Sequence, residues 1–175
     1  WKTIKNNGFS NGKIFYCWIS TGLTWWVFPC VCVYLYTDYI EPRYTFDVII
    51  KLIGMLCVAE IAFVIGHVTL HRYFPEIHKL HHFCKSCSYT TGVMFDPVDI
   101  IIEFVPPNVV PALICMWMGD YWVMILSFSA ISTWYALDHD EYLQLPHTKH
   151  HKYINSAYFA YLPFSKFDSK DKVRG

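Results

Sequence analysis

From Ile14 to Tyr36 the chain runs 23 residues without a charged side chain. At about 1.5 Å of rise per residue, a helix of that length crosses the hydrocarbon core of a bilayer. Three further apolar stretches follow. The second is expected as a helix from about Val48 to about Arg72, with Lys51 near its start free to extend its amine toward the interface. The third, Ile100 to Gly119, is apolar apart from Glu103 and carries Pro106, Pro107 and Pro111, which are expected to bend or break it. After the turn signal Gly119-Asp120, the 17 uncharged residues Tyr121 to Leu137 complete a helical hairpin. At 54% hydrophobic and 19% aromatic residues the chain is too apolar for an ordinary soluble globule, and its formal charge of zero excludes a strongly basic nucleic-acid binder. The expectation is one all-α domain over residues 1–175, with about four transmembrane helices and a histidine-rich helical cap.

The cap follows from where the histidines fall. There are nine, and the first 66 residues contain none. They are His67 and His71 in HVTLH, His78, His81 and His82 in HKLHH, His139, and His147, His150 and His151 in HTKHH. Residues four apart share a helix face, so His67 and His71 can serve one metal ion. Adjacent residues point in different directions, so His81 and His82 can serve two ions. Three such blocks read as a binuclear metal site rather than as scattered surface or core histidines.

Topology agrees with chemistry. Four crossings return the chain to its starting side, which places every histidine on one face of the membrane. Twelve of the 14 Lys and Arg residues fall on that side, leaving Arg43 and Lys51 opposite. By the positive-inside rule the metal site then faces the cytosol.

Glu60 lies within the second apolar helix, where an unpartnered carboxylate costs about 2.5 kcal/mol or more. Seven residues before His67, it is expected on the same face roughly 10 Å deeper, orienting a ligand imidazole, serving a water chain, or protonated against a neighbouring hydroxyl or amide. Asp138 or Asp140 can orient an imidazole beside His139, or simply be solvated. Of the seven cysteines, most lie in or beside the apolar runs and act as small hydrophobes. Cys84 and Cys87 form a C-x-x-C beside His82, so a zinc site competes there with free thiols in a loop.

The stretch from Glu60 to His82 resembles the fatty acid hydroxylase superfamily, the histidine-rich membrane oxygenases that include sterol desaturases, sterol methyl oxidases and lipid hydroxylases. Those proteins show an acidic residue before an H-R-x-x-H block and then H-K-x-H-H; here Glu60 precedes HVTLH and HKLHH. The resemblance spans about residues 55 to 175. It continues through HTKHH and Asn155, where the family often has Asn, to Asp171-Lys172-Val173-Arg174-Gly175, similar to the family's closing D-(K/R)-x-x-G-T. The region DHDEYLQLPH around His139 is similar to the family's H-x-G-Y segment without its glycine. Asp96-Pro97 stands where the family often has His-Pro. The chain opens on Trp1 rather than Met and shows no secretory signal pattern, and it stops one residue short of the family's usual Thr; continuation at either end is the expectation.

Neutral imidazoles are borderline nitrogen donors suited to iron or zinc. HVTLH lacks the Glu of H-E-x-x-H, so a zinc protease is disfavoured, and no residue reads as a separate acid, base or nucleophile. The resemblance implies two iron ions, with zinc able to occupy the site in purified protein. It also implies a lipid substrate, fatty acyl or sterol, drawn from the bilayer of the endoplasmic reticulum. Dioxygen would hydroxylate or desaturate a C–H bond, with electrons from NAD(P)H through a reductase or b-type cytochrome. A histidine-rich zinc-binding or zinc-transport protein and a non-catalytic metal cap are the alternatives from other classes.

Overall fold

The computed structural model of the protein describes residues 10–83, 94–140, 142–143 and 145–152. Six α-helices lie among them and no strand: α1 (Asn11–Tyr36), α2 (Phe46–Tyr73), α3 (Pro75–His78), α4 (Pro97–Trp117), α5 (Tyr121–Asp138) and α6 (Pro146–Lys152). The four apolar runs of the sequence are thus the four long helices. Asn155, the Cys84–Cys87 pair and the closing DKVRG motif lie outside the described residues.

Helix α2 has two unlike faces. Met55, Ala59, Phe63 and Leu70 recur at three- to four-residue spacing and are buried, whereas Ile49, Ile53, Ile61 and Ile65 form a parallel row 54–63% exposed. A soluble protein rarely leaves such an apolar row open to water, and a hydrocarbon environment satisfies it. Helices α2 and α4 are both long and apolar enough to cross a membrane. These are helices of a membrane-associated protein.

One end of the bundle is held by charge and aromatic rings. Gly119, at φ 67°, makes the reversal between α4 and α5. Asp120 then caps α5 by accepting the Val123 amide at 3.3 Å and pairs with Arg43 at 2.7 Å and Lys51 at 2.8 Å. Tyr36 stacks on Tyr121 at 4.6 Å, and Tyr44 meets Trp122 edge-on at 5.9 Å. Rings at a helix end of this kind suit the boundary between headgroup and water. The two cations expected opposite the histidines therefore share this end with the hairpin turn, and the 28 residues of α2 carry the chain to the other.

At that other end lies a buried cluster, Ala59, Phe63, Phe95, Ile100, Phe104, Ile131 and Tyr135. It forms an aromatic floor, in which Phe63 contacts Tyr135 at 5.6 Å and Phe104 contacts Tyr135 at 5.6 Å. Above it the chain leaves α2, turns through α3 and a 3-10 turn at His81–Phe83, and returns as α6.

The prolines of α4 do not break it. The helix continues to Trp117, and the distortion gathers in a π turn at Ile100–Phe104. Pro106 and Pro107 lack the N–H groups that the carbonyls of Ile102 and Glu103 would otherwise receive, and loss of those bonds lets the turn widen. Helix α2 packs against this turn at Gly66, where a Cβ would collide with the Ile102 carbonyl oxygen and stand 3.1 Å from the Glu103 Cα.

Candidate metal centre

All nine histidines converge on the cap, in two groups. In the first, His71 comes from the last turn of α2, His67 from one turn earlier, His78 from the end of α3 and His82 from the 3-10 turn. The Nε2 of His71 stands 3.0 Å from the Nε2 atoms of His67, His82 and His150 alike, and His67 and His150 are 2.9 Å apart. In the second, His81 Nε2 lies 3.4 Å from both His139 and His147, and His151 lies 3.2 Å from His147. The adjacent pairs divide: His82 and His150 go to the first group, His81 and His151 to the second.

The local reason is periodicity. His67 and His71 are one turn apart on the face that also carries Phe63, and their rings stack at 4.8 Å. His147 and His151 are related in the same way on α6, whose start is fixed by Asp138. That carboxylate accepts the His147 backbone amide at 3.3 Å, and the Asp138 carbonyl accepts the Thr148 hydroxyl. Asp138 thus acts on the site through the backbone of α6, while Asp140 accepts the Tyr142 amide at 2.7 Å.

The far nitrogens show how the rings are oriented. His139 Nδ1 donates to the Tyr135 carbonyl at 2.8 Å, which leaves its Nε2 lone pair facing the second group. His67 Nδ1 meets Glu103 Oε1 at 3.2 Å; His78 Nδ1 meets Asp99 Oδ2 at 3.1 Å and Glu103 Oε2 at 3.3 Å. Asp99 and Glu103 are fully enclosed, at 0% and 1% exposure, and neither is among the residues that the histidine spacing picks out. The available signal was an Asp and a Glu four apart at the head of an apolar helix, one turn from each other on one face. Glu60 is buried on α2, at 2% exposure.

Electrostatics and hydrogen bonding both favour a cation at the centre. Burial pushes His81, His82, His147 and His151 well below the usual histidine range, and the charged forms of neighbouring rings push in the same direction. Burial also brings His139 down to about 4. The rings are neutral at pH 7, with a lone pair on each ring. One Nε2 can donate a single hydrogen or accept at a single lone pair, so His71 Nε2 cannot be hydrogen-bonded to three other Nε2 atoms at once. A cation among them satisfies all four. Donors on imidazole–metal bonds of about 2.1 Å stand about 3.0 Å apart at right angles and about 3.4 Å apart in a tetrahedron, close to the 2.9–3.4 Å separations seen. Among the described residues, His78 Nε2 is buried without a hydrogen-bond partner, as expected of a ligand atom.

Surrounding rings keep water out. His81 stacks on Phe95 at 4.2 Å, and Phe63 lies 5.1 Å from His67 and 5.4 Å from His147. His71 alone of the nine is partly exposed, which marks the open edge of the site.

Comparison with known proteins returns no similarity: no family model, characterised protein or solved structure matches this chain. The site is defined by its own geometry, an all-α fold with histidine and acidic clusters able to chelate one or two metal ions.

Proposed function

We propose that this protein is a membrane oxidoreductase of the fatty acid hydroxylase type, holding two iron ions in its cap and oxidising a lipid C–H bond. The observation that carries the reading is the set of Nε2 atoms around His71, all within 3.0 Å of it and beyond the reach of hydrogen bonding alone. His67, His71, His78, His82 and His150 hold one ion; His81, His139, His147 and His151 hold the other. Imidazole donors without a thiolate suit iron or zinc, and leave the positive charge of the ions largely uncompensated. Iron in this setting supplies the redox chemistry by which dioxygen, two electrons and two protons convert a C–H bond to C–OH and release water.

The chain's own residues supply position and dryness. Glu103 and Asp99 orient His67 and His78, the Tyr135 carbonyl orients His139, and Asp138 fixes the start of α6. Phe63, Phe95 and Phe104 separate the site from the helical bundle. A lateral groove of about 670 Å³ between α1 and α5, lined by Pro29, Val33, Phe128 and Thr133 among others, gives an apolar substrate a place below the cap. Thr133 is six residues before His139 on α5, about 9 Å along the axis. In this reading all four long helices span the endoplasmic reticulum membrane with the cap in the cytosol. The substrate is a fatty acyl chain or sterol, and electrons arrive from NAD(P)H through a reductase or b-type cytochrome.

Zinc is the second reading, favoured by the 3.2–3.4 Å separations in the second group, close to a tetrahedral edge. Metal analysis of the purified protein, with lipid profiling of expressing cells with and without oxygen, decides between them. About two irons per chain and an oxygen-dependent lipid product support the oxidase. Zinc alone, with no lipid change on iron loading, overturns it.

A further inference from the structure

The two groups of histidines are not held alike. Glu103 reaches His67 at 3.2 Å with one oxygen and His78 at 3.3 Å with the other, so one carboxylate spans two rings of the first group. His78 has a second acceptor in Asp99, at 3.1 Å. In the second group His139 is oriented by a backbone carbonyl instead, at 2.8 Å.

Glu103 lies within the π turn of α4, and that turn meets α2 where a side chain would not fit. At Gly66 a Cβ would collide with the Ile102 carbonyl oxygen, which the missing N–H of Pro106 leaves without its usual helical donor. The close approach brings the backbone of residue 103 against the residue that precedes His67. Gly54, twelve residues before Gly66 on the same helix, has nothing among the described residues within 4 Å of its Cβ position. The requirement for a bare Cα is therefore specific to Gly66.

On the two-ion reading above, we propose that Gly66, the π turn and Glu103 act together as a positioning device for the first ion alone. Backbone contact at Gly66 sets the reach of Glu103. Its carboxyl fixes the Nδ1–H tautomer of His67, which turns the Nε2 lone pair of that ring toward His71, His82 and His150. Glu103 is a positioning residue, since it acts through His67. A glutamine at 103 keeps a carbonyl that accepts from His67, while His78 retains Asp99 as its acceptor.

The test compares Glu103→Ala, Glu103→Gln, Gly66→Ala and Gly54→Ala in the full chain, in detergent. Two readouts are used: iron bound per chain, and 15N chemical shifts of the His67 ring in the metal-free protein, which report its tautomer. Glu103→Ala and Gly66→Ala are expected to lose the Nδ1–H form of His67 and to bind the first ion roughly 10- to 100-fold more weakly, with the second ion kept. Glu103→Gln and Gly54→Ala are expected to match the parent in both readouts. Unchanged His67 shifts in Glu103→Ala overturn the proposal, as does a Glu103→Gln protein as impaired as the alanine variant, or loss of both ions together. A parent protein binding fewer than two ions defeats the two-ion reading, while the ring shifts still decide the role of Glu103.

Discussion

The Nε2 atoms of His67 and His150 stand 2.9 Å apart although 83 residues separate them in the chain. One ring comes from a long apolar helix and the other from a seven-residue helix of the cap, so the contact joins membrane bundle to cap at the centre of the site.

His150→Ala removes a ring that touches three others of the first group, His67, His71 and His82. It should lower bound metal by about one ion per chain and abolish lipid oxidation, with membrane insertion largely kept. His81→Ala should do the same to the second group. Elemental analysis, alkali-resistant membrane association and product assay of each variant provide the check; retained turnover in both would contradict the grouping.

Acid should weaken the metal-free fold in a defined direction. An unfolded histidine takes up its proton near the ordinary value of 6.5, whereas buried His139 resists until about 4. A depressed folded-state value means stability is fully present above about 6.5 and is lost as pH falls toward 4, because the unfolded chain binds the extra proton. The other buried cap histidines act with the same sign. Thermal midpoints in detergent from pH 7.5 to 4.5 should fall steadily, and bound metal should be released over the same window. A flat profile would mean that the rings are solvated.

Ile61 sits 61% exposed in the outward row of α2. If that row faces lipid, Ile61→Lys near mid-helix should cost about 2.5–3.5 kcal/mol of insertion free energy. Its membrane-inserted fraction in a translocation assay should drop, while Ile61→Leu behaves as the parent. Normal insertion and folding of Ile61→Lys would indicate that the row faces water.

Much of the architecture could be read from residue order. The uncharged run Ile14–Tyr36 and its three successors became α1, α2, α4 and α5, because burying an apolar run without exposing its backbone leaves a helix as the local solution. Boundaries moved by a few residues: α2 starts at Phe46 rather than Val48, and α4 at Pro97 rather than Ile100. The prolines of α4 were expected to bend or break it; they left it continuous and widened a single turn.

The spacing of the histidines, read alone, determined that His67 and His71 share a face and that adjacent pairs such as His81 and His82 diverge, since helical periodicity fixes each side chain's direction about its own axis. Only the tertiary structure decided which distant rings meet: His150 with His67, His139 with His81, and Glu103 with both His67 and His78. Those meetings depend on how closely two helices approach and on where a helix departs from regular winding. Gly66 and the π turn set both quantities through backbone contacts between residues far apart in the chain, which no local pattern encodes.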